Sequence, residues 1–357
     1  MLFTLRPAFA VFLLTMAALA PAQARGGADE LMPAIACPSA DRSIAAQGFV
    51  PIGGIDQWVT IRGARCGNPV LLFVHGGPGN PMSPYSAAVF GGWEADFTIV
   101  QWDQRGAGRT FARNPATAQA ALSIDGIAAD GTELAAYLAE RLGQSRVVLI
   151  GTSWGSALAV HMAKARPDLF HAYVGISQLV GQRANLDSSY RNLLARAAAA
   201  GDSATVATIE ALGPPPWRNP RHFGALRRAI RAYERHAVDP SPDNWWVPAP
   251  LYATAAAASA YEAGEDYSYL QFVGLTGDGL LARIDLPALG PRFEIPVFLV
   301  QGEEDLLTDA GVARRYFDFL TAPEKRFVLV PRAGHDPNPA MFDAVHRLLV
   351  ERATGWR

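Results

Sequence analysis

A serine set between two glycines at the end of an apolar run is the first feature of this sequence with the makings of covalent chemistry. Val147-Val148-Leu149-Ile150 leads straight into Gly151-Thr152-Ser153-Trp154-Gly155-Ser156, a G-x-S-x-G pattern between a buried-strand signature and a helical one. A tight strand-to-helix turn there would hold Ser153 in a strained conformation with its hydroxyl exposed. Glycines at 151 and 155 would let strand and helix approach, and the Trp154 N–H, at the helix start, would face a developing oxyanion. Such a serine needs a base to take its proton and a carboxylate to orient the base. Of seven histidines, His335 is the expected base, because Pro331-Arg332-Ala333-Gly334-His335 follows a strand that would deliver it to the same sheet edge. His161, His222, His236 and His346 lie in helical patterns and read as surface or packing residues, and His171 opens a strand. Asp305 is the expected carboxylate, preferred over Glu303, Glu304 and Asp278, since Val297-Phe298-Leu299-Val300-Gln301-Gly302 is a strand ending just before it. A second oxyanion donor is expected at Gly77, in the loop Gly76-Gly77-Pro78-Gly79 that follows the strand Val70 to His75. His75 itself is read as bracing that loop.

The elements that must position these groups are legible in outline. Short apolar runs at 57–62, 70–75, 97–102, 146–151, 172–177, 296–301 and 326–330 alternate with helical patterns, which predicts an α/β fold with a mostly parallel sheet. Residues 124–142 read as a helix, with Ile127, Leu134, Leu138 and Leu142 at helical spacing and Gly143 ending it. From 178 to 290 the alternation stops. That stretch is rich in alanine and arginine, is punctuated by Gly213-Pro214-Pro215-Pro216 and Asp239-Pro240-Ser241-Pro242, and predicts a helical cap inserted into one domain. The core would then run over 25–177 and 291–357. Within the cap, Trp245-Trp246 reads chiefly as a fastening to the sheet rather than as pocket lining.

Composition excludes several classes. Of 357 residues half are hydrophobic, and 31 basic against 33 acidic residues leave a net charge of −2, which offers no electrostatic footprint for nucleic acid. The proportions also fit neither a disordered chain, a collagen-like repeat, a coiled coil nor a disulfide-dense miniprotein. At the start, Arg6, an apolar run over 8–20 and Ala22-Gln23-Ala24 have the pattern of a cleaved signal peptide over residues 1–24. The mature chain is accordingly expected to be periplasmic or secreted, without stable membrane insertion. Export permits a disulfide between Cys37 and Cys66, the only two cysteines. No metal site is expected.

Three motifs in order carry a resemblance. His75-Gly76-Gly77-Pro78-Gly79, Trp102-Asp103-Gln104-Arg105-Gly106-Ala107-Gly108-Arg109-Thr110 and Gly151-Thr152-Ser153-Trp154-Gly155-Ser156 together resemble the proline iminopeptidase (prolyl aminopeptidase) family of α/β-hydrolases, over roughly residues 46–352. The resemblance implies an eight-stranded, mostly parallel sheet with helices on both faces, a helical cap, and no cofactor. It also implies Ser153, Asp305 and His335 as the triad, and an aminopeptidase acting on short peptides with N-terminal proline or another small residue. Asp103 and Arg105 match the family's D-Q-R-G-A-G segment, read here as internal support for the site floor. Recognition of the substrate's ammonium by acidic cap residues would fall to Glu234 and Glu262, beside Tyr233 and Tyr261. The sequence departs from the family in placing Arg231 and Arg235 around Glu234 and in its export signal. An esterase, lactonase or amidase acting on a small molecule is the alternative, followed by a binding protein on a hydrolase fold. Serine at 153 excludes haloalkane dehalogenase and epoxide hydrolase chemistry, which needs aspartate there.

Overall fold

The computed structural model describes residues 31–356 except 34–36, 38 and 115–121, so the expected signal peptide lies outside the described residues. Eight strands, β1 (Ile44–Ile52), β2 (Ile55–Gly63), β3 (Val70–Val74), β4 (Thr98–Trp102), β5 (Val147–Thr152), β6 (Phe170–Ile176), β7 (Val297–Gly302) and β8 (Lys325–Val330), form one sheet. Its order is β1-β2-β4-β3-β5-β6-β7-β8. Pairing is antiparallel from β1 through β2 to β4 and parallel from there on.

Every residue of β3, β4 and β7 is buried, as apolar strands covered on both faces must be. The ten α-helices among the described residues are α1 (Ser86–Phe90), α2 (Gly108–Arg113), α3 (Ile124–Leu142), α4 (Trp154–Ala165), α5 (Gln182–Ala199), α6 (Ser203–Glu210), α7 (Pro220–Ala237), α8 (Ala255–Val273), α9 (Ala310–Phe319) and α10 (Pro339–Arg352). Period-two alternation splits the core. Leu72, Val74, Leu149 and Leu299 pack with residues of α3, α4 and α9 on one face. Leu71, Phe73, Ile150 and Val300 pack with α1 and α10 on the other. The α3 helix begins with Ser123 Oγ accepting from the Gly126 N–H and ends at Gly143 in the left-handed region, φ 63°.

One strand, β1, was not among those read from the sequence. It joins β2 through Gly53-Gly54, both with positive φ (57° and 78°), the backbone a two-residue hairpin turn requires. Gly48 and Pro51 interrupt its apolar pattern; proline is accommodated because β1 is an edge strand. Cys37 is bonded to Cys66, with Cα atoms 5.7 Å apart.

Between β6 and β7 the chain forms α5 to α8 and no strand among its described residues. Two of these helices are fastened to the loops that carry the site. On α8, Ser268 Oγ donates to the Gly106 carbonyl at 2.7 Å, and Tyr267 stacks on Phe111 of α2 with centroids 5.3 Å apart. On α7, Glu234 reaches the loops after β7 and β8.

Candidate active site

Ser153 stands between β5 and α4 with φ 51° and ψ −120°, a conformation that non-glycine residues rarely adopt. The turn is possible because a side chain at Gly155 would run into the carbonyl oxygens of Val74 and His75, and one at Gly151 into the backbone of Gly155 and Ser156. The loop after β8 brings His335 Nε2 to 3.0 Å from Ser153 Oγ, and the loop after β7 brings both Asp305 oxygens to 3.2 Å from His335 Nδ1. Three segments distant in the chain thus meet in a hydrogen-bonded line.

The carboxylate of Asp305 is 1% exposed and fully engaged. Oδ1 accepts the Leu307 and Thr308 N–H groups at 3.0 and 2.7 Å; Oδ2 accepts Thr308 Oγ1 at 2.6 Å and Gln301 Nε2 at 2.8 Å. Burial alone would push this carboxyl up, but the His335 charge and hydrogen bond, with the donors of Thr308, outweigh it and hold it below the usual range. Burial likewise works against a charged His335, yet the Asp305 charge and hydrogen bond, followed by Asp336 and Glu234, raise it above 6.5. The competing acids are otherwise placed. Glu303 is exposed, Glu304 pairs with Arg196 at 2.5 Å, and Asp278 accepts from the Thr276 N–H.

Gly77, at φ 108°, lines the cavity beside Ser153. Among the described residues neither its N–H nor that of Trp154, the first residue of α4, has a hydrogen-bond partner. The loop carrying Gly77 is braced by His75, whose Nδ1 lies 2.8 Å from the Gly76 oxygen and whose Nε2 accepts the Gln104 N–H at 3.2 Å. Burial drives His75 down to about 4, so it stays neutral. Gln104 links two parts of the site, donating to the His75 carbonyl at 3.0 Å and accepting from Trp154 Nε1 at 3.1 Å. Asp103 accepts from Ser83 Oγ and the Arg109 N–H at 2.5 and 2.9 Å, and Arg105 holds Asp130 and the Gly53 carbonyl. Asp103 and Arg105 both bind neighbouring loops, and neither is hydrogen-bonded to Ser153, His335 or Asp305.

The serine opens into a cavity of about 740 Å³ walled by the α7 and α8 segments, and into a small pocket of about 30 Å³. Glu234 lines the cavity, but both its oxygens are spent: Oε1 accepts the Leu306 N–H at 2.7 Å and Oε2 the His335 N–H at 3.0 Å. Burial, reinforced by the Asp305 charge, pushes it up to about 7. Glu262 is exposed and outside the cavity; Glu265, three residues on, lines it together with Tyr261 and Tyr85. The tryptophan pair divides: Trp245 packs on Phe342 of α10 at 5.5 Å, while Trp246 lines the cavity. Sequence reading missed Glu265, Thr308, Gln301 and Gln104. Thr308 had a local signal, lying three residues after an aspartate in a turn; Gln104 lay inside the D-Q-R-G-A-G segment, Glu265 stood one helical turn after Tyr261, and Gln301 had no signal beyond its strand.

The alpha/beta hydrolase fold family matches residues 69–339, and the chain belongs to that family. It is a hydrolase. It is 28% identical over 307 residues to the probable aminopeptidase YbaC of Bacillus subtilis, covering 84% of this chain and 95% of the relative. It is 25% identical over 300 residues to the proline iminopeptidase of Lactobacillus delbrueckii subsp. lactis, covering 81% and 91%. In fold it is similar to the crystal structure of the Mycobacterium smegmatis proline iminopeptidase, with TM-score 0.60, 19% identity and coverage of 88% and 98%.

Proposed function

We propose that the protein is an exported serine aminopeptidase that releases N-terminal proline or another small residue from short peptides. The observation that carries the reaction type is the Ser153–His335–Asp305 line, with hydrogen-bond separations of 3.0 and 3.2 Å. The Ser153 hydroxyl attacks the scissile carbonyl carbon as His335 Nε2 takes its proton, and Asp305 holds the imidazolium that forms. The N–H groups of Gly77 and Trp154 receive the oxyanion; each such donor is typically worth about 3 kcal/mol or more of barrier lowering. His335 returns the proton to the departing amine, and water, deprotonated by the same imidazole, releases the acyl group from Ser153.

The aminopeptidase activity is supported by the names of the relatives and by the cavity wall. Glu265 makes no hydrogen bond or ion pair among the described residues, which leaves its carboxylate available to a substrate ammonium beside Tyr85 and Tyr261. Because Glu234 is committed to backbone N–H groups, Glu265 is the better candidate for this role.

Proline p-nitroanilide and p-nitrophenyl acetate assayed on the purified protein test the assignment. Turnover of the anilide is expected, and Ser153→Ala should lower kcat roughly 10⁴-fold or more and abolish labelling by a fluorophosphonate probe. Hydrolysis of the ester with no turnover of any aminoacyl anilide would refute the peptidase assignment. Labelling that survives Ser153→Ala would refute the nucleophile.

A further inference from the structure

Arg227, on α7, lines both the main cavity and the small pocket, and Ser153 lines both as well. Its Nε is buried without a hydrogen-bond partner, and no ion pair is formed by its guanidinium among the described residues. The neighbouring charges are accounted for. Arg231 pairs with Asp336 at 3.4 Å, Glu234 is held by two backbone N–H groups, and Glu265 lies on the main cavity but not on the small pocket. A second donor in the small pocket is also unspent. Asn185 is 3% exposed, and its Oδ1 accepts the Val180 and Gly181 N–H groups at 3.0 Å each, which fixes the amide orientation; Nδ2 is buried with no partner. The rest of that pocket is largely apolar, including Leu179, Leu186 and Phe272.

Asp336 and Glu265 attract Arg227 through space and Arg231 repels it, with no direct ion pair; a guanidinium cannot shed its charge at ordinary pH, so a partly buried arginine without a bonded counter-ion is costly until an anion arrives. Its planar fork suits a carboxylate, which could also accept from an amide N–H. We propose that Arg227, with Asn185, forms a carboxylate-binding subsite beside the nucleophile, and that the preferred substrate is a dipeptide with a free C-terminus. This rests on the aminopeptidase reading. In a dipeptide the terminal carboxylate carbon is three bonds from the scissile carbonyl carbon, whereas each further residue moves it three bonds away. A pocket bounded by Ser153 and Gly77 therefore favours the shortest peptide. Glu265 on the other cavity provides for the ammonium, so the two unpaired charges match the two ends of a zwitterion.

The test compares prolylglycine with prolylglycinamide, which differ only in that carboxylate. The wild-type protein should favour the acid about 10- to 100-fold in kcat/KM. That ratio should fall towards one in Arg227→Met and be partly retained in Arg227→Lys. A wild-type ratio near one overturns the subsite whether or not the variants fold, as does a ratio unchanged by Arg227→Met. A parallel pair, glutamyl and glutaminyl p-nitroanilide, places the carboxylate: preference in this pair alone would put it on the acyl residue and overturn the dipeptide assignment. If neither peptide is cleaved but p-nitrophenyl acetate is, the aminopeptidase reading has failed by itself. The subsite is then read by inhibition of ester hydrolysis. N-acetylglycine should inhibit through Arg227 where N-acetylglycinamide does not, and equal or absent inhibition by both overturns it.

Discussion

Glu234 bridges both loops that carry the acid and the base, through the N–H groups of Leu306 and His335. Its negative charge, complete only above its own raised value of about 7, is also the smallest of the influences that raise His335 above 6.5. In the proposed mechanism His335 must be neutral to accept the Ser153 proton, so kcat/KM should be lost as pH falls through that raised value. In Glu234→Gln one of the two N–H groups loses its acceptor; a hydrogen bond to a charged group is worth about 1.5–3 kcal/mol, so activity should drop about 10- to 100-fold. The acid limb of the pH–rate profile should move to lower pH at the same time, because a charge favouring protonated His335 has gone. A drop in rate with an unmoved limb would reduce Glu234 to a purely mechanical prop. At this scale the sequence was informative wherever a residue type stands at a strand end, as for Ser153, Asp305 and His335, which the fold brings into hydrogen-bond distance. For Glu234 it indicated proximity to the site but not the backbone partners, which lie 72 and 101 residues away.

The turn joining β5 to α4 concentrates the close packing that holds the serine. At Gly155 a methyl group would meet main-chain oxygens at the end of β3, which cannot swing aside as a side chain could. Gly155→Ala should therefore cost about 3 kcal/mol of stability, visible as a lower Tm and as slower fluorophosphonate labelling. Full stability and labelling in that variant would contradict the packing argument. The turn was legible because its signal is contiguous: an apolar run, the glycines and a helical pattern all fall within ten residues. Helix α8 shows the opposite case. Glu262 was favoured for its place next to Tyr261, but adjacent residues point about 100° apart around a helix, whereas residues four apart share a face. Tyr261 and Glu265 share the cavity face, which Gly264, Ser268 and Phe272 mark as the buried side. Edge strand β1 was missed because its glycine and proline mask a pattern that only pairing with β2 makes regular.

The whole molecule joins a sheet bearing Ser153, Asp305 and His335 to the α5–α8 segment that walls the cavity, with a bridge between Cys37 and Cys66 near the sheet's antiparallel edge. Closing a loop of 29 residues' separation corresponds to about 3.6 kcal/mol in the chain-entropy account. Replacing both cysteines with serine should lower the unfolding free energy by about that amount in a denaturant titration. The same protein expressed with residues 1–24 in an export-competent host should start at Arg25 and contain no titratable thiol; a retained leader or two reactive thiols would count against the proposed export. The hydrolase fold and the convergence of Ser153, Asp305 and His335 were readable from residue types and their local spacing, because each depends on a motif contiguous in the chain. Which acid faces the cavity, which one instead braces the triad loops, and which donors near Ser153 remain unspent depended on how α5, α7 and α8 settle against the sheet. Those outcomes are set by packing between distant segments, where a residue's partners, rather than its type, determine what remains free to bind.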